Sequence, residues 1–138
     1  MMPIPDKLIR QTIQSVNEAI HVIDTEFRIQ YYNEALIDFC QKSGFPIDDP
    51  SNLLLFDLFP FLSNKIKEEY DLVFRTGETL VTEEESQVND MEVITKTQKK
   101  PILDGGRVKY IVTLLEDVTD ANLARQALSD SEAFNRAV

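Results

Sequence analysis

KYIVTLLEDVTD, residues 109–120, reads as a strand that runs straight into the start of a helix. Tyr110 to Leu115 carry apolar groups on both faces, and a strand of that kind must be covered on both sides. Side chains alternate along a strand, so residues 111, 113 and 115 point one way and residues 108, 110, 112 and 114 the other. Asp117 to Asp120 then close the strand and supply caps for a helix from about Ala121 onward. The side chains of Asp117 and Thr119 can bond backbone groups at this joint and set the angle of the helix that leaves it.

Toward the N-terminus, Met91 to Gln98 and Thr79 to Val88 are also strand-like, and the Asp104-Gly105-Gly106 turn makes the last three strands an antiparallel meander. Before them, Leu62, Ile66, Tyr70, Val73 and Phe74 form one helical stripe, with Ser63 or Asn64 as cap and Gly77 as stop. Pro46, Pro50 and Pro60 cut the preceding chain into short pieces, and the apolar piece Leu53 to Phe59 is expected to be buried. Asn33 opens a helix through Leu36, Phe39 and Cys40 that stops near Ser43-Gly44. Ala19 to Asp24 and Phe27 to Tyr32 pair as a hairpin around Asp24-Thr25-Glu26. Asp6 caps a first helix whose residues Ile9, Ile13, Val16 and Ile20 recur on one face, which can cover the second face of the last strand.

The chain has 138 residues, which suits a single core, and 14 basic against 24 acidic residues leave a net charge of −10. Such an anion repels a phosphate backbone, so a nucleic-acid partner is disfavoured. With 43% hydrophobic and 28% charged residues the composition is that of an ordinary globular domain. A single cysteine, Cys40, allows no internal disulfide and no thiolate cluster, and it fits a reducing compartment. The apolar run Leu53 to Leu62 is broken by Asp57 and Pro60 and is too short for a membrane span, and no signal peptide heads the chain.

The order helix, two strands, short helices, longer helix, three strands, exit helix resembles the PAS domain family. AIHVIDTEFRIQYYNEAL is similar to its opening hairpin and the Asn-x-Ala after it, here Asn33 and Ala35; LLLFDLFP to its short-helix segment; KYIVTLLEDVTD to its last strand with the Asp-Ile-Thr signature, here Asp117-Val118-Thr119. Thr25-Glu26 departs from the family, which often has a glycine there, and leaves the turn type open. SDSEAFNRAV, residues 129–138, resembles the phrase that opens a further PAS unit in multi-domain sensors. The resemblance implies an α+β fold: a five-stranded antiparallel sheet with short helices on one face, an N-terminal amphipathic helix and a C-terminal exit helix. The expected division is 1–18 flanking helix, 19–120 sensor domain and 121–138 exit helix toward a following domain.

By the same resemblance the chain is a cytoplasmic sensory and dimerisation domain that detects a small molecule or cellular state and signals through its exit helix to an output domain such as a histidine kinase. The alternative is a ligand-free protein-protein interaction module. The aromatic set Phe39, Phe56, Phe59, Phe61 and Phe74 can line an apolar cavity whose floor is His21, Ile23, Ile111, Thr113 and Leu115, although plain core packing explains the same residues. The candidate ligand-binding residues are therefore His21, Ile23, Phe39, Phe56, Phe74, Ile111, Thr113 and Leu115, and the candidate coupling residues Asp117 and Thr119.

No cofactor phrase is present, and a small apolar or weakly polar ligand suits the set. PAS proteins that hold haem usually supply a histidine from the long helix, and residues 62–76 contain none. Flavin-binding light sensors carry their thiol in an Asn-Cys-Arg phrase on a later helix, whereas Cys40 sits in Asp38-Phe39-Cys40-Gln41 and reads as a small buried hydrophobe. One histidine without clustered partners makes a poor metal site. Glu83-Glu84-Glu85 cannot converge, because neighbouring strand residues face opposite ways, so these acids read as a solvated sheet edge paired with Lys96, Lys99 and Lys100. No nucleophile-base pair or Gly-rich phosphate loop is found, which argues against catalysis. A homodimer through the terminal helices and a downstream signalling domain are the expected partners.

Overall fold

Residues of alternating and of helical hydrophobic period form, in turn, the strands and helices of the fold. A computed structural model describes residues 7, 8, 11, 17–42, 44, 46–60, 62–88 and 90–137. In chain order its elements are β1 (Ala19–Asp24), β2 (Ile29–Tyr32), α1 (Glu34–Lys42), α2 (Leu55–Leu58), α3 (Asn64–Thr76), β3 (Leu80–Val88), β4 (Met91–Asp104), β5 (Arg107–Asp117) and α4 (Thr119–Ala137). The strands form one five-stranded sheet in the order β2-β1-β5-β4-β3, every pair antiparallel. β5 lies at its centre; Ile111 and Thr113 on its inner face are buried, whereas Tyr110, Val112 and Leu114 on the other face are half-buried.

Ile111 and Thr113 face the helices and are sealed from solvent, together with Ile23 and His21 of β1. Leu36 and Cys40 of α1, Leu55 of α2, and Ile66, Tyr70 and Val73 of α3 close over Ile23 and Ile111 to form the core. The spacing of Ile66, Tyr70 and Val73 puts all three on the buried stripe of α3. That helix stops at Gly77, whose φ of +68° lets its N–H bond to the Val73 carbonyl. Asn33 starts α1: its Oδ1 accepts from the N–H of Leu36 at 3.1 Å and from the N–H of Ile20 at 2.9 Å, so one amide caps the helix and ties it to β1.

Several expectations need correction. Ile20 belongs to β1, opposite Leu114, and not to a helix; Asp6, Ile9, Ile13 and Val16 lie outside the described residues. Leu53 is 44% exposed although Leu55 and Phe59 are buried. Its carbonyl accepts from the N–H of Ile29 on β2, and the one-turn helix after it has only one face to bury, so the apolar run is covered on one side alone. β4 runs through Pro101 to Asp104. Proline is compatible there because β3 ends at the Leu80–Lys99 pair, leaving that side of β4 without a partner needing an N–H. The loop of the first hairpin is Thr25-Glu26-Phe27, and β2 starts at Ile29. Asp24 bridges this loop: its carbonyl accepts from the N–H of Phe27 at 3.0 Å, and its Oδ1 accepts from the N–H groups of Glu26 and Arg28. Phe27 takes the left-handed conformation at φ +64°. This is the three-residue hairpin loop with a left-handed third residue, and it resolves the turn type.

Candidate functional site

Strand register determines which side chains meet on the inner face of the sheet. Thr113 of β5 is flanked by His21 on β1 and Lys99 on β4, and in the neighbouring row Leu115 is flanked by Ala19 and Thr97. The centre of this face is polar, with His21, Thr97, Lys99 and Thr113 all buried. Lys99 is fully enclosed, and its Nζ donates to Glu84 Oε1 of β3 at 2.8 Å and to Glu69 Oε2 of α3 at 3.3 Å. It also lies 5.0 Å from the centre of the Tyr70 ring, whose hydroxyl is 2.8 Å from Thr113 Oγ1. Burial raises the Tyr70 phenol far above its ordinary range, so it stays neutral.

The acidic run is therefore only in part a solvated edge. Glu83 and Glu85 are exposed, but the Glu84 side chain turns inward and is 12% exposed beside Lys99. A buried ammonium demands anionic partners, and the sheet supplies one while α3 supplies the other. Some of the negative charge thus stands inside the fold, where the sequence pattern had placed all of it on the surface.

Among the described residues, two buried polar atoms on this face have no hydrogen-bond partner, His21 Nδ1 and Thr97 Oγ1. Burial, with the Lys99 charge in second place, pushes the His21 pKa down to about 3, so the ring is neutral. Its ring lies 6.3 Å from that of Phe59. Cys40 is fully buried and its thiol is pushed up to about 12 by desolvation, so it is an unreactive core side chain. Among the described residues no group of three or more His, Cys, Asp or Glu converges on a possible metal position.

The expected ligand-binding residues fall into three places. His21, Ile23, Ile111 and Thr113 are sealed in the inner face. Phe39 and Leu115 open on a cleft of about 390 Å³ beside Asp117 and Lys42. Phe74 opens on another of about 480 Å³ at the end of α3, and Phe56 reaches the same region through Phe27. Phe61 lies outside the described residues. Residue patterns do not single out Lys99, Tyr70, Thr97 or Phe27 as members of a site. β4 from Thr95 to Lys99 is polar at every position, so no alternation marks its inner side, and Phe27 looks like one more strand residue.

The joint at the end of β5 is tightly bonded. Thr119 Oγ1 accepts from the N–H of Ile94 on β4 at 2.9 Å and donates to Asp117 Oδ1 at 2.6 Å, and Asp117 Oδ1 also accepts from the Thr119 N–H. Val118 N–H donates to the Ile94 carbonyl at 2.8 Å. The helix that leaves this joint begins at Thr119, two residues earlier than the start near Ala121 expected from its caps.

A model of the PAS fold matches residues 13–123. The PAS domain of Bordetella pertussis BvgS superposes with a TM-score of 0.65 at 19% identity, covering 92% of this chain and 96% of that one. A sensory box sensor histidine kinase from Vibrio cholerae gives 0.58 at 15% identity, covering 82% and 88%. VqmA bound to DPO gives 0.62 at 15% identity, covering 80% and 56%. No curated protein matches the chain. No helix among the described residues is long and apolar enough to cross a membrane. With the family's fold matched over most of its length and its strand order and closing joint in place, the chain belongs to the PAS family, whose members are typically non-catalytic sensory modules of histidine kinases and other signalling proteins.

Proposed function

We propose that this chain is a cytoplasmic sensory and dimerisation unit that detects a small molecule or cellular state and signals through α4 to an output domain such as a histidine kinase. Residues 19–120 are the sensor, 1–18 its N-terminal flank and 121–138 the link to a following domain. The unit pairs with a second copy through its terminal helices, contacts neither nucleic acid nor membrane, and catalyses nothing itself. The ligand is small and apolar or weakly polar, held against His21, Ile23, Phe39, Phe56, Phe74, Ile111, Thr113 and Leu115.

The observation that carries this reading is the double role of β4. It presents Thr97 and Lys99 to the inner face and gives both backbone groups of Ile94 to Val118 and Thr119. A shift of the sheet under a ligand therefore pulls on the first turn of α4, with Asp117 and Thr119 as the coupling residues. The unpartnered His21 Nδ1 and Thr97 Oγ1 are polar atoms that a ligand can satisfy. VqmA, one neighbour of the fold, has a structure bound to DPO, which favours ligand holding over a ligand-free interaction module.

Native mass spectrometry of protein purified without added ligand, with thermal scans against metabolite pools, tests the sensing half. An added mass or a stabilising pool is the expected result; neither would leave the interaction module as the better reading. The coupling half is tested by Thr119→Val, which removes the acceptor for the Ile94 N–H. Amide exchange at Ile94 and along the first turn of α4 should quicken about fivefold, as for one lost hydrogen bond of roughly 1 kcal/mol, and Thr119→Ser should restore it.

A further inference from the structure

We infer that the cleft between the C-terminal end of α3 and the β4–β5 hairpin binds a small organic monoanion with an apolar body. The cleft measures about 480 Å³, and the residues that line it include Phe27, Phe74, Arg75, Arg107 and Asp71. It is distinct from the sealed inner face of His21, Ile23, Ile111 and Thr113, although Phe74 of the proposed ligand set lines it, and the inference does not depend on what the inner face holds.

Charge defines the polar end of the ligand. Among the four arginines whose side chains are described, Arg28 is bound by Glu26 and the Asn52 carbonyl, and Arg125 by Asn122 and Glu83. The side chains of Arg75 and Arg107, the two residues that line this cleft, make no ion pair or hydrogen bond among the described residues. In a chain of net charge −10, this leaves two guanidiniums open at one concave surface. A guanidinium offers a planar fork that matches a carboxylate. Asp71, on the same wall, leaves one net positive charge, which selects a single negative charge over phosphate or a dicarboxylate.

The walls define the rest of the ligand. Phe27 is held at φ +64°, a backbone state unfavourable for a bulky side chain, and its ring packs against Phe56, Tyr70 and Phe74 with centroids 5.6 to 6.0 Å apart. Strain of that kind persists where the surroundings hold a side chain in place, and here they hold a ring at the cleft wall. A flat apolar body lies on Phe27 and Phe74 while its carboxylate meets the arginines. Because Phe27 touches Tyr70, which bonds Thr113 of β5, occupancy of the cleft has a path to the centre of the sheet.

Proton-nitrogen NMR titration of the whole chain tests this, with sodium benzoate as probe, benzamide as neutral isostere and sodium chloride at matched ionic strength as control. Benzoate should produce saturable shifts at the amides of residues 25–27, 74–77 and 106–108, with a dissociation constant on the order of millimolar, the scale open to so small a probe. Arg75→Gln and Arg107→Gln should each weaken it about threefold, as for an exposed ion pair, without altering the fold, because both side chains are exposed. Equal affinity for benzamide, unchanged benzoate binding in the double arginine variant, or no saturable shift in this cleft would each overturn the proposal.

Discussion

Phe27 satisfies two opposed demands at once. The loop geometry puts its backbone in the left-handed region, where an ordinary L-residue costs about 1–2 kcal/mol, yet its ring contacts three other aromatics. Phe27→Ala removes the ring and keeps the backbone cost, so it should destabilise the domain by about 2 kcal/mol, scaled down from a fully buried phenylalanine because the ring is half-buried. Phe27→Gly loses the same ring but relieves the backbone, and it should be about 1 kcal/mol more stable than the alanine variant, the reverse of the usual order for these two residues. Urea unfolding of both variants checks this; alanine equal to or better than glycine would mean that the backbone carries no strain. Nothing local marks this position, since Phe27, Ile29 and Tyr31 share the parity of a plain strand. Its conformation comes from Asp24, which binds the loop's amides, and from the aromatic rings packed against its own.

Where elements meet, the Lys99 cluster braces α3 to β3 and β4. The buried ammonium with its two carboxylates is costly to desolvate and costly to break, so its members are strongly coupled. Lys99→Met leaves Glu69 and Glu84 nearly buried without their shared cation, and should lower stability by about 3 kcal/mol. Adding Glu84→Gln to that variant should recover a large part of the loss, because one of the stranded charges is gone. Independent, additive effects in chemical denaturation would reduce the cluster to a surface ion pair. The helices and hairpins are legible from their local patterns: Ile66, Tyr70 and Val73 mark α3 by their apolar spacing, and Gly105-Gly106 marks the last turn, where φ values of +62° and +80° suit a two-residue hairpin. β4 is only half legible, because Lys99 looks like any surface lysine until α3 brings Glu69 over it from 30 positions away in the chain. A contact that distant is made by the packing of α3 on the sheet and leaves no local pattern to read.

Across the molecule, His21 links the buried polar face to global stability. Its folded pKa of about 3 lies below the ordinary 6.5, so between those values the unfolded chain binds a proton that the folded chain does not. Stability therefore falls as pH drops through this window, by up to about 2 kcal/mol between pH 7 and pH 5 for this one group. His21→Gln should remove most of that loss, and urea unfolding at the two pH values checks it. A variant as acid-sensitive as the parent would mean that His21 is protonated, or exposed, in the folded state.

The order of the strands and helices, the apolar character of both faces of β5 and the joint at Asp117 to Thr119 are all readable from the chain alone. They rest on short-range periodicity, turn residues and caps, which act between near neighbours and leave a visible pattern. Packing in three dimensions was needed to bury Lys99 between Glu69 and Glu84, to leave His21 Nδ1 and Thr97 Oγ1 without partners beside Thr113 and Leu115, and to bring Arg75 and Arg107 into one cleft with Phe27. Burial and charge pairing depend on which elements pack together, and a polar strand such as β4 carries no hydrophobic alternation to say which of its sides faces the core.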